Sequence, residues 1–239
     1  LIHGIVMGGG VGVSVHGSHR IANETTSFAM PETGIGLFPD VGGSYFLPRS
    51  PGEIGMFLAM TGARLKTADS LYAGVATHFV PSAKWDELIT QLANGASPDV
   101  VLQALGETIP GDYLCAHRAA IDRVFAGNSV DQILAALDGE HTDWASDTAS
   151  IIRAKSPTSL KIAFRQIREG GKLSFDDCMR MEFRMVNRII AGHDFYEGVR
   201  ATILDKDGAP KWVPPSLSGV KDADVHAYFA PLGDKELSL

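Results

Sequence analysis

The first eighty residues alternate short apolar runs with glycine and proline, a pattern typical of short strands joined by tight turns. The apolar run at 1–7 predicts a strand, and the glycines at 8–12 predict a sharp turn into a helix. Further short strands are predicted at 19–22, 26–30 and 78–80. Strands and helices mixed in this order favour a stacked α/β arrangement over a helical bundle.

The hydrophobic pattern changes after residue 81, where apolar residues recur at helical spacing instead of in short runs. A long helix is predicted from Ser156-Pro157 to Gly170-Gly171, and another from about residue 175 to 191. The chain is therefore divided into 1–81, the mixed α/β part, and 82–239, a mainly helical C-terminal region.

Two shorter helix starts are predicted from capping patterns. Ser50, followed by Pro51 and Glu53, has the composition of a helix N-terminus, and Gly62 that of the helix end. Asp194 with Glu197 fits a capping box, which explains these two carboxylates as a helix start and not as catalysts.

Composition and charge exclude several functional classes. The 239 residues carry a net charge of −7, which argues against the clustered basic surface that nucleic-acid binding needs. The stretch before residue 20 lacks charged residues, but glycines and histidines interrupt it and no basic segment precedes it, so neither a signal peptide nor a membrane span is predicted. Cys115 and Cys178 form no disulfide framework and no metal-ligand spacing, as expected for reduced thiols in a cytoplasm-like compartment.

Candidate chemistry lies in the glycine turn and in two acidic residues that follow it. A helix start leaves backbone N–H groups without partners, and glycines keep side chains away from them, so a substrate oxygen that gains negative charge can bind there. Glu32 and Asp40 lie in the loop-rich segment that follows. An anion site with two placed carboxylates is typical of acyl chemistry.

The same stretch carries a resemblance to a known family. The run GIVMGGGVGVSVHGSHRIANETTSFAMPETGIGLFPDVGGSYFLPR resembles the crotonase (enoyl-CoA hydratase/isomerase) superfamily. The resemblance continues at 61–65 and 73–78, and returns at 156–161 and in HDFYEGVR at 193–200. It covers nearly the whole chain except the variable helical middle.

The resemblance implies a fold, a reaction and three site residues. The expected fold is the later turns of a stacked ββα spiral, followed by the helical region. Gly9 matches the residue whose N–H binds the thioester oxygen, Glu32 the superfamily's acid or base, and Asp40 an aspartate beside the substrate in the hydroxyacyl-CoA hydrolases. The implied reaction is hydrolysis of a short branched β-hydroxyacyl-CoA, 3-hydroxyisobutyryl-CoA of valine breakdown, with no metal and no cofactor because CoA is part of the substrate.

One departure separates this chain from the hydratases of the superfamily. Those enzymes carry a glutamate two residues after the glycine triplet and pair it with the later one, whereas this chain has Gly12 there. Water addition to a double bond would lack half of its acid/base pair, so thioester hydrolysis is the preferred interpretation. An enoyl-CoA hydratase or isomerase remains the alternative.

The chain opens on Leu1 inside a predicted strand, and against the family roughly the first third is expected in a missing N-terminal segment. That segment would supply the second oxyanion N–H, so an inactive fragment or binding component is a further alternative. It would also hold any transit peptide, with the mitochondrial matrix as the compartment in a eukaryote. Homo-oligomerisation is left open.

Overall fold

A computed structural model describes all 239 residues as thirteen α-helices and five short strands. The strands are β1 (Ile5–Val6), β2 (Ile21–Ala22), β3 (Ser27–Phe28), β4 (Leu65–Lys66) and β5 (His78–Phe79). Each of the predicted strand regions contains a strand of two residues, and β4 was not predicted. Glycines and turns bound the strands closely, which limits each ladder to two residues.

The strands form two small sheets. In the first, β1 pairs in parallel with β3 (Ile5 opposite Ser27), and β3 pairs antiparallel with β4 (Ser27 opposite Lys66). In the second, β2 pairs in parallel with β5, with Ile21 opposite His78. Parallel neighbours need long connections between them, and here helices and turns make those connections.

The helices dominate the chain after β5. The thirteen are α1 (Gly9–Gly12), α2 (Gly43–Phe46), α3 (Ile54–Thr61), α4 (Thr67–Tyr72), α5 (Trp85–Ala93), α6 (Pro98–Leu105), α7 (Tyr113–Phe125), α8 (Val130–Gly139), α9 (Asp143–Arg153), α10 (Pro157–Gly170), α11 (Phe175–Ile189), α12 (Asp194–Val199) and α13 (Asp222–Phe229).

The predicted long helices are confirmed as α10 and α11, and their starts follow from side-chain caps. Ser156 accepts a hydrogen bond from the Ser159 N–H, and Ser174 accepts one from the Asp177 N–H. Each serine therefore satisfies one of the N–H groups that a helix start leaves without a partner.

The predicted start of α3 at Ser50 was wrong, whereas its end was right. The chain first forms a 3₁₀ turn at Leu47–Arg49 and then a second turn in which Gly52 has positive φ. The helix therefore begins only at Ile54. Gly62 ends it with φ of 66°, a conformation that glycine adopts without a steric cost.

The chain forms two compact units. The first comprises 1–29 and 64–119 and contains all five strands, and the second comprises 30–63 and 120–239. The predicted division into 1–81 and 82–239 marks the point along the chain where strands give way to helices. It stays a prediction.

Each unit has an apolar cluster of its own. In the first, residues of β2, α5 and α6 pack together, including Ile21, Leu88 and Val101. In the second, Phe38 packs against residues of α10, α11 and α13, including Ile162 and Met185. Phe38 thereby anchors the segment between the two acidic candidates.

Candidate active site

The glycine turn in the first unit connects β1 to α1. Gly8 has φ of 50° and no side chain to resist that conformation, and its carbonyl accepts the N–H of Val11 at 2.9 Å. The helix covers only the four residues Gly9–Gly12. It is held down by Val11, which is completely buried.

The N–H of Gly9 is the first of this helix and has no hydrogen-bond partner in the protein, as is usual for an N-terminal helical residue. A Cβ added at Gly8, Gly9 or Gly10 would meet no atom within 4 Å. The backbone at this turn is therefore open to a ligand.

Glu32 begins a 3₁₀ turn, Glu32–Ile35, in the second unit. Backbone contacts fix this turn: Thr33 O accepts the Ser156 N–H, and Gly36 lies so close to Asp194 that a Cβ would come within 2.3 Å of its backbone. Gly198 approaches Ile35 equally closely, with its added Cβ 2.3 Å from the Ile35 carbonyl carbon. The turn that carries Glu32 is consequently locked to α12.

The Glu32 side chain is 5% exposed, and its Oε2 has no hydrogen-bond partner in the protein. The pKa of Glu32 is raised to about 8, mainly by burial, which penalises the ionised form, and to a smaller extent by the negative charge of Asp40. A carboxyl group with a pKa near neutrality and an unpartnered oxygen is suited to proton transfer.

Asp40 lies in the turn that leads into α2. Its carbonyl accepts the Gly43 N–H at 2.8 Å, and the residue before the helix is Gly42, so the Asp40 side chain does not cap α2. The helix starts later than residue 41 because Val41 and Gly42 both have positive φ. Burial raises the pKa of Asp40, and its carboxylate is not consumed as a helix cap.

Glu32 and Asp40 belong to the same compact unit, and the negative charge of Asp40 contributes to the raised pKa of Glu32. Gly9 belongs to the other unit. The assignment of all three to one acyl site stays a prediction.

Two site-supporting residues escaped the sequence analysis, namely Gln166 and Glu182. Both are buried, and both contact the turn around Asp40. A signal for Glu182 was present, because it interrupts the apolar stripe of α11 formed by Cys178, Met181 and Met185. A charged residue at a core position is unusual enough to be informative.

The capping box predicted at 194–197 was wrong. Neither carboxylate caps α12: Asp194 accepts hydrogen bonds from the Ser156 hydroxyl and the Val213 N–H, and Glu197 pairs with Arg200 at 2.8 Å. Both residues therefore join the helix to neighbouring segments instead of closing its N-terminus.

The chain contains neither a candidate metal cluster nor a candidate membrane-spanning helix. No group of three or more histidine, cysteine, aspartate or glutamate side chains could hold a metal ion. No helix combines the length and apolar character needed to cross a bilayer.

The chain is similar to known proteins over nearly its whole length. The profile of the enoyl-CoA hydratase/isomerase family matches residues 1–229. A mitochondrial 3-hydroxyisobutyryl-CoA hydrolase from Danio rerio is 48% identical over the whole chain, and its Homo sapiens counterpart is 45% identical over 99% of it. The chain spans 65% of the length of the first and 64% of the second.

Two solved structures are similar in fold as well as in sequence. A carnitinyl-CoA dehydratase from Mycobacterium thermoresistibile matches 98% of the chain with a TM-score of 0.91 and 41% identity, and the chain covers 67% of it. An enoyl-CoA hydratase from Rhodobacter sphaeroides matches 99% of the chain with a TM-score of 0.90 and 38% identity, with 68% of that protein covered.

These similarities confirm the predicted fold class, later turns of a crotonase-like α/β spiral followed by a helical C-terminal region. The family profile extends over nearly all of the chain, and the relatives are well above the identity at which a family is recognised. This chain belongs to the enoyl-CoA hydratase/isomerase family, the crotonase superfamily.

Proposed function

We propose that the protein carrying this chain hydrolyses a short branched β-hydroxyacyl-CoA thioester, with 3-hydroxyisobutyryl-CoA of valine breakdown as its substrate. The observation that carries the proposal is the buried Glu32, whose pKa is raised to about 8 beside the charge of Asp40. Relatives named as 3-hydroxyisobutyryl-CoA hydrolases, at 45 to 48% identity, support the choice of substrate.

In the proposed mechanism the Gly9 N–H polarises the thioester carbonyl. We propose that a second N–H comes from an N-terminal segment that the longer relatives contain. Hydrogen bonds to an oxygen that becomes negative stabilise the transition state more than the ground state, which lowers the barrier. The glycine backbone provides this donor without a side chain that would obstruct the acyl group.

Ionised Glu32 then promotes the attack in one of two ways. As a base it takes a proton from water while the water oxygen bonds to the carbonyl carbon; as a nucleophile it bonds to that carbon itself, and water later opens the anhydride. In both routes the carbon–sulfur bond breaks, and the sulfur leaves as a thiolate that takes up a proton to give free CoA. Asp40 orients the substrate hydroxyl or assists the leaving thiol.

These steps use only groups of the protein and water, so the proposal includes no metal and no separate cofactor. Single turnover in ¹⁸O-labelled water tests the nucleophilic route, because an anhydride that water opens at the Glu32 carbonyl carbon places label in the Glu32 carboxylate, whereas general-base catalysis places it only in the released acid. The named relatives are mitochondrial, and for a eukaryotic source we propose the mitochondrial matrix as the compartment.

An enoyl-CoA hydratase or isomerase is the second candidate, supported by the names of the two similar solved structures. Gly12, which stands where the hydratases carry a glutamate, is the observation against it. An inactive fragment or a binding component is the non-enzymatic alternative.

The decisive experiment uses the full-length protein with matched thioesters: 3-hydroxyisobutyryl-CoA, isobutyryl-CoA and methacrylyl-CoA. Free thiol and enoyl absorbance are followed separately. We expect thiol release that is fastest from the hydroxyacyl substrate. Loss of enoyl absorbance without thiol release would favour the hydratase, and acyl-CoA binding without turnover of any substrate would favour a binding component.

A further inference from the structure

Glu182 is a buried carboxylate that the proposed chemistry does not use. It lies on α11 among buried apolar residues and is 7% exposed. No lysine or arginine pairs with it. A buried charge without a counter-ion is costly unless hydrogen bonds compensate, so its partners reveal its role.

Both carboxylate oxygens of Glu182 bind the backbone that follows Asp40. Oε2 accepts the Gly42 N–H and Oε1 accepts the Ser44 N–H, each at 3.0 Å. The carboxylate thereby binds two N–H groups of the turn, those of Gly42 and Ser44, which are separated by one residue. The charge of Asp40 also acts on Glu182, which places the two carboxyl groups in one electrostatic environment.

The turn that Glu182 binds contains a residue in an unfavourable backbone conformation. Val41 has φ of 50° although it is β-branched, and the left-handed region costs such residues about 1–2 kcal/mol. A conformation of this kind persists only where its surroundings impose it. The two hydrogen bonds to Glu182, directly after Val41, provide that constraint.

Gln166 of α10 holds the same turn from its other end. Its Nε2 donates to the Pro39 carbonyl at 2.6 Å and to the Ser44 hydroxyl at 2.8 Å, and the side chain is fully buried. The residues on either side of Asp40 are thus fixed by two helices. No other side chain hydrogen-bonds the Asp40 carboxylate, so its direction depends on the backbone of this turn.

We infer that Glu182, assisted by Gln166, is a positioning residue that aims Asp40 at the substrate by holding the 39–44 turn in its strained conformation. The inference rests on the proposed function, because it gives Asp40 a role in hydrolysis. It adds a part of the machinery that acts only through Asp40.

The test compares Glu182→Gln with Asp40→Asn and with the double variant. In Glu182→Gln one oxygen becomes an NH₂ group that faces a backbone N–H, so one of the two hydrogen bonds is lost at nearly constant volume. Misplacement of a reacting group by about 1 Å can cost about 100-fold in rate. We expect kcat on the β-hydroxyacyl-CoA to fall about 10- to 100-fold with KM changed less than about twofold.

The double variant gives the readout that a merely structural role would not produce. If Glu182 acts through Asp40, Glu182→Gln costs almost nothing further once Asp40 is Asn, because coupled residues are not additive. Glu53→Gln is the matched control: Glu53 is a partly buried carboxylate of the same unit whose two oxygens bind Arg168. We expect it to lower Tm and to leave kcat within about twofold.

Amide hydrogen exchange at Gly42 and Ser44 reports directly on the two hydrogen bonds to Glu182, and the exchange should accelerate in Glu182→Gln. If Glu182→Gln does not fold, Gln166→Met carries the same test from the other end of the turn, with the same expected loss of kcat and the same non-additivity with Asp40→Asn. A wild-type kcat in the variant, or full additivity with Asp40→Asn, would overturn the inference. Failure of the unmodified protein to release CoA would instead overturn the proposed function.

Discussion

The two regions that we propose for acyl chemistry are built in opposite ways. The glycine turn at 8–12 offers only backbone: its N–H group is open, and the space around it is empty of side chains. The segment at 32–44 offers buried carboxyl groups whose properties come from what surrounds them. A main-chain donor depends on local conformation, whereas a buried carboxyl depends on packing contributed by distant helices.

This difference predicts where each region is vulnerable. A substitution at the glycine turn should change the reaction rate little as long as the N–H remains. At the acidic segment, replacement of a single oxygen should matter greatly.

The largest effect is expected for Glu32→Gln. Loss of a general base typically costs about 10²- to 10⁴-fold in rate, and we expect kcat for CoA release to fall in that range while the Kd for acyl-CoA stays nearly constant. Glu87→Gln, at an exposed position on α5, is the control and should retain full activity. Unchanged turnover in Glu32→Gln would remove this residue from the mechanism.

Gly9→Pro tests the backbone donor. Proline fits the first position of a helix but has no N–H, so we expect a rate loss of about 10²- to 10³-fold with Tm little changed. The matched variant Gly9→Ala keeps the N–H, and its Cβ enters open space. Equal rate losses in the two variants would indicate that the turn requires a small residue and not a hydrogen-bond donor.

The pH dependence of kcat/KM should report the raised pKa of Glu32. Because both proposed routes need the ionised form, the rate should rise about tenfold per pH unit below pH 8 and level off above it. The residual activity of Glu32→Gln should lack this rise. A rate that declines above pH 8 would indicate that Glu32 acts as an acid instead.

Asp40→Asn should cause a smaller and substrate-dependent loss. If the carboxylate contacts the substrate hydroxyl, we expect about a 10- to 100-fold loss on 3-hydroxyisobutyryl-CoA, at least as large as that of Glu182→Gln, and a smaller loss on isobutyryl-CoA, since a hydrogen bond to a charged group contributes about 1.5–3 kcal/mol. Equal losses on both thioesters would contradict contact with the hydroxyl and favour a role at the leaving thiol.

The smallest effect concerns stability and is independent of any substrate. The pKa of Glu32 is raised in the folded chain, so between its ordinary value and about 8 the folded state binds more protons than the unfolded state, and stability falls as pH rises. Glu32→Gln removes this loss. We expect the Tm of the variant relative to wild type to increase from pH 5 to pH 8 by about 2–4 °C or more, by differential scanning calorimetry. A constant Tm difference would contradict the burial of Glu32.

Much of the fold was accessible from the sequence because it depends on local signals. Ser156 followed by proline predicted the start of α10, and the helix predicted from about residue 175 to 191 corresponds to α11 at Phe175–Ile189. The start of α3 was missed because a 3₁₀ turn and the Gly52 turn precede it, and nothing in the capping pattern at Ser50 distinguishes that case.

The same distinction between local signals and packing applies to the site. The identities of Gly9, Glu32 and Asp40 came from a sequence resemblance, but the burial that alters the Glu32 pKa is a property of the packed structure. Asp40 illustrates the limit: positive φ at Val41 and Gly42 delays the start of α2 to Gly43, so that the carboxylate does not cap this helix, and residue identity alone does not reveal this.

The family, the glycine backbone of the turn and the identity of the acidic residues follow from the sequence alone, because they depend on residue type and spacing along the chain. The burial of Glu32 and the hydrogen bonds of Glu182 and Gln166 to the Asp40 turn arise only when distant helices pack together. The reason is distance in the chain: 140 residues separate Gly42 from Glu182, and no local pattern encodes a contact that only the packing of α11 against this turn creates.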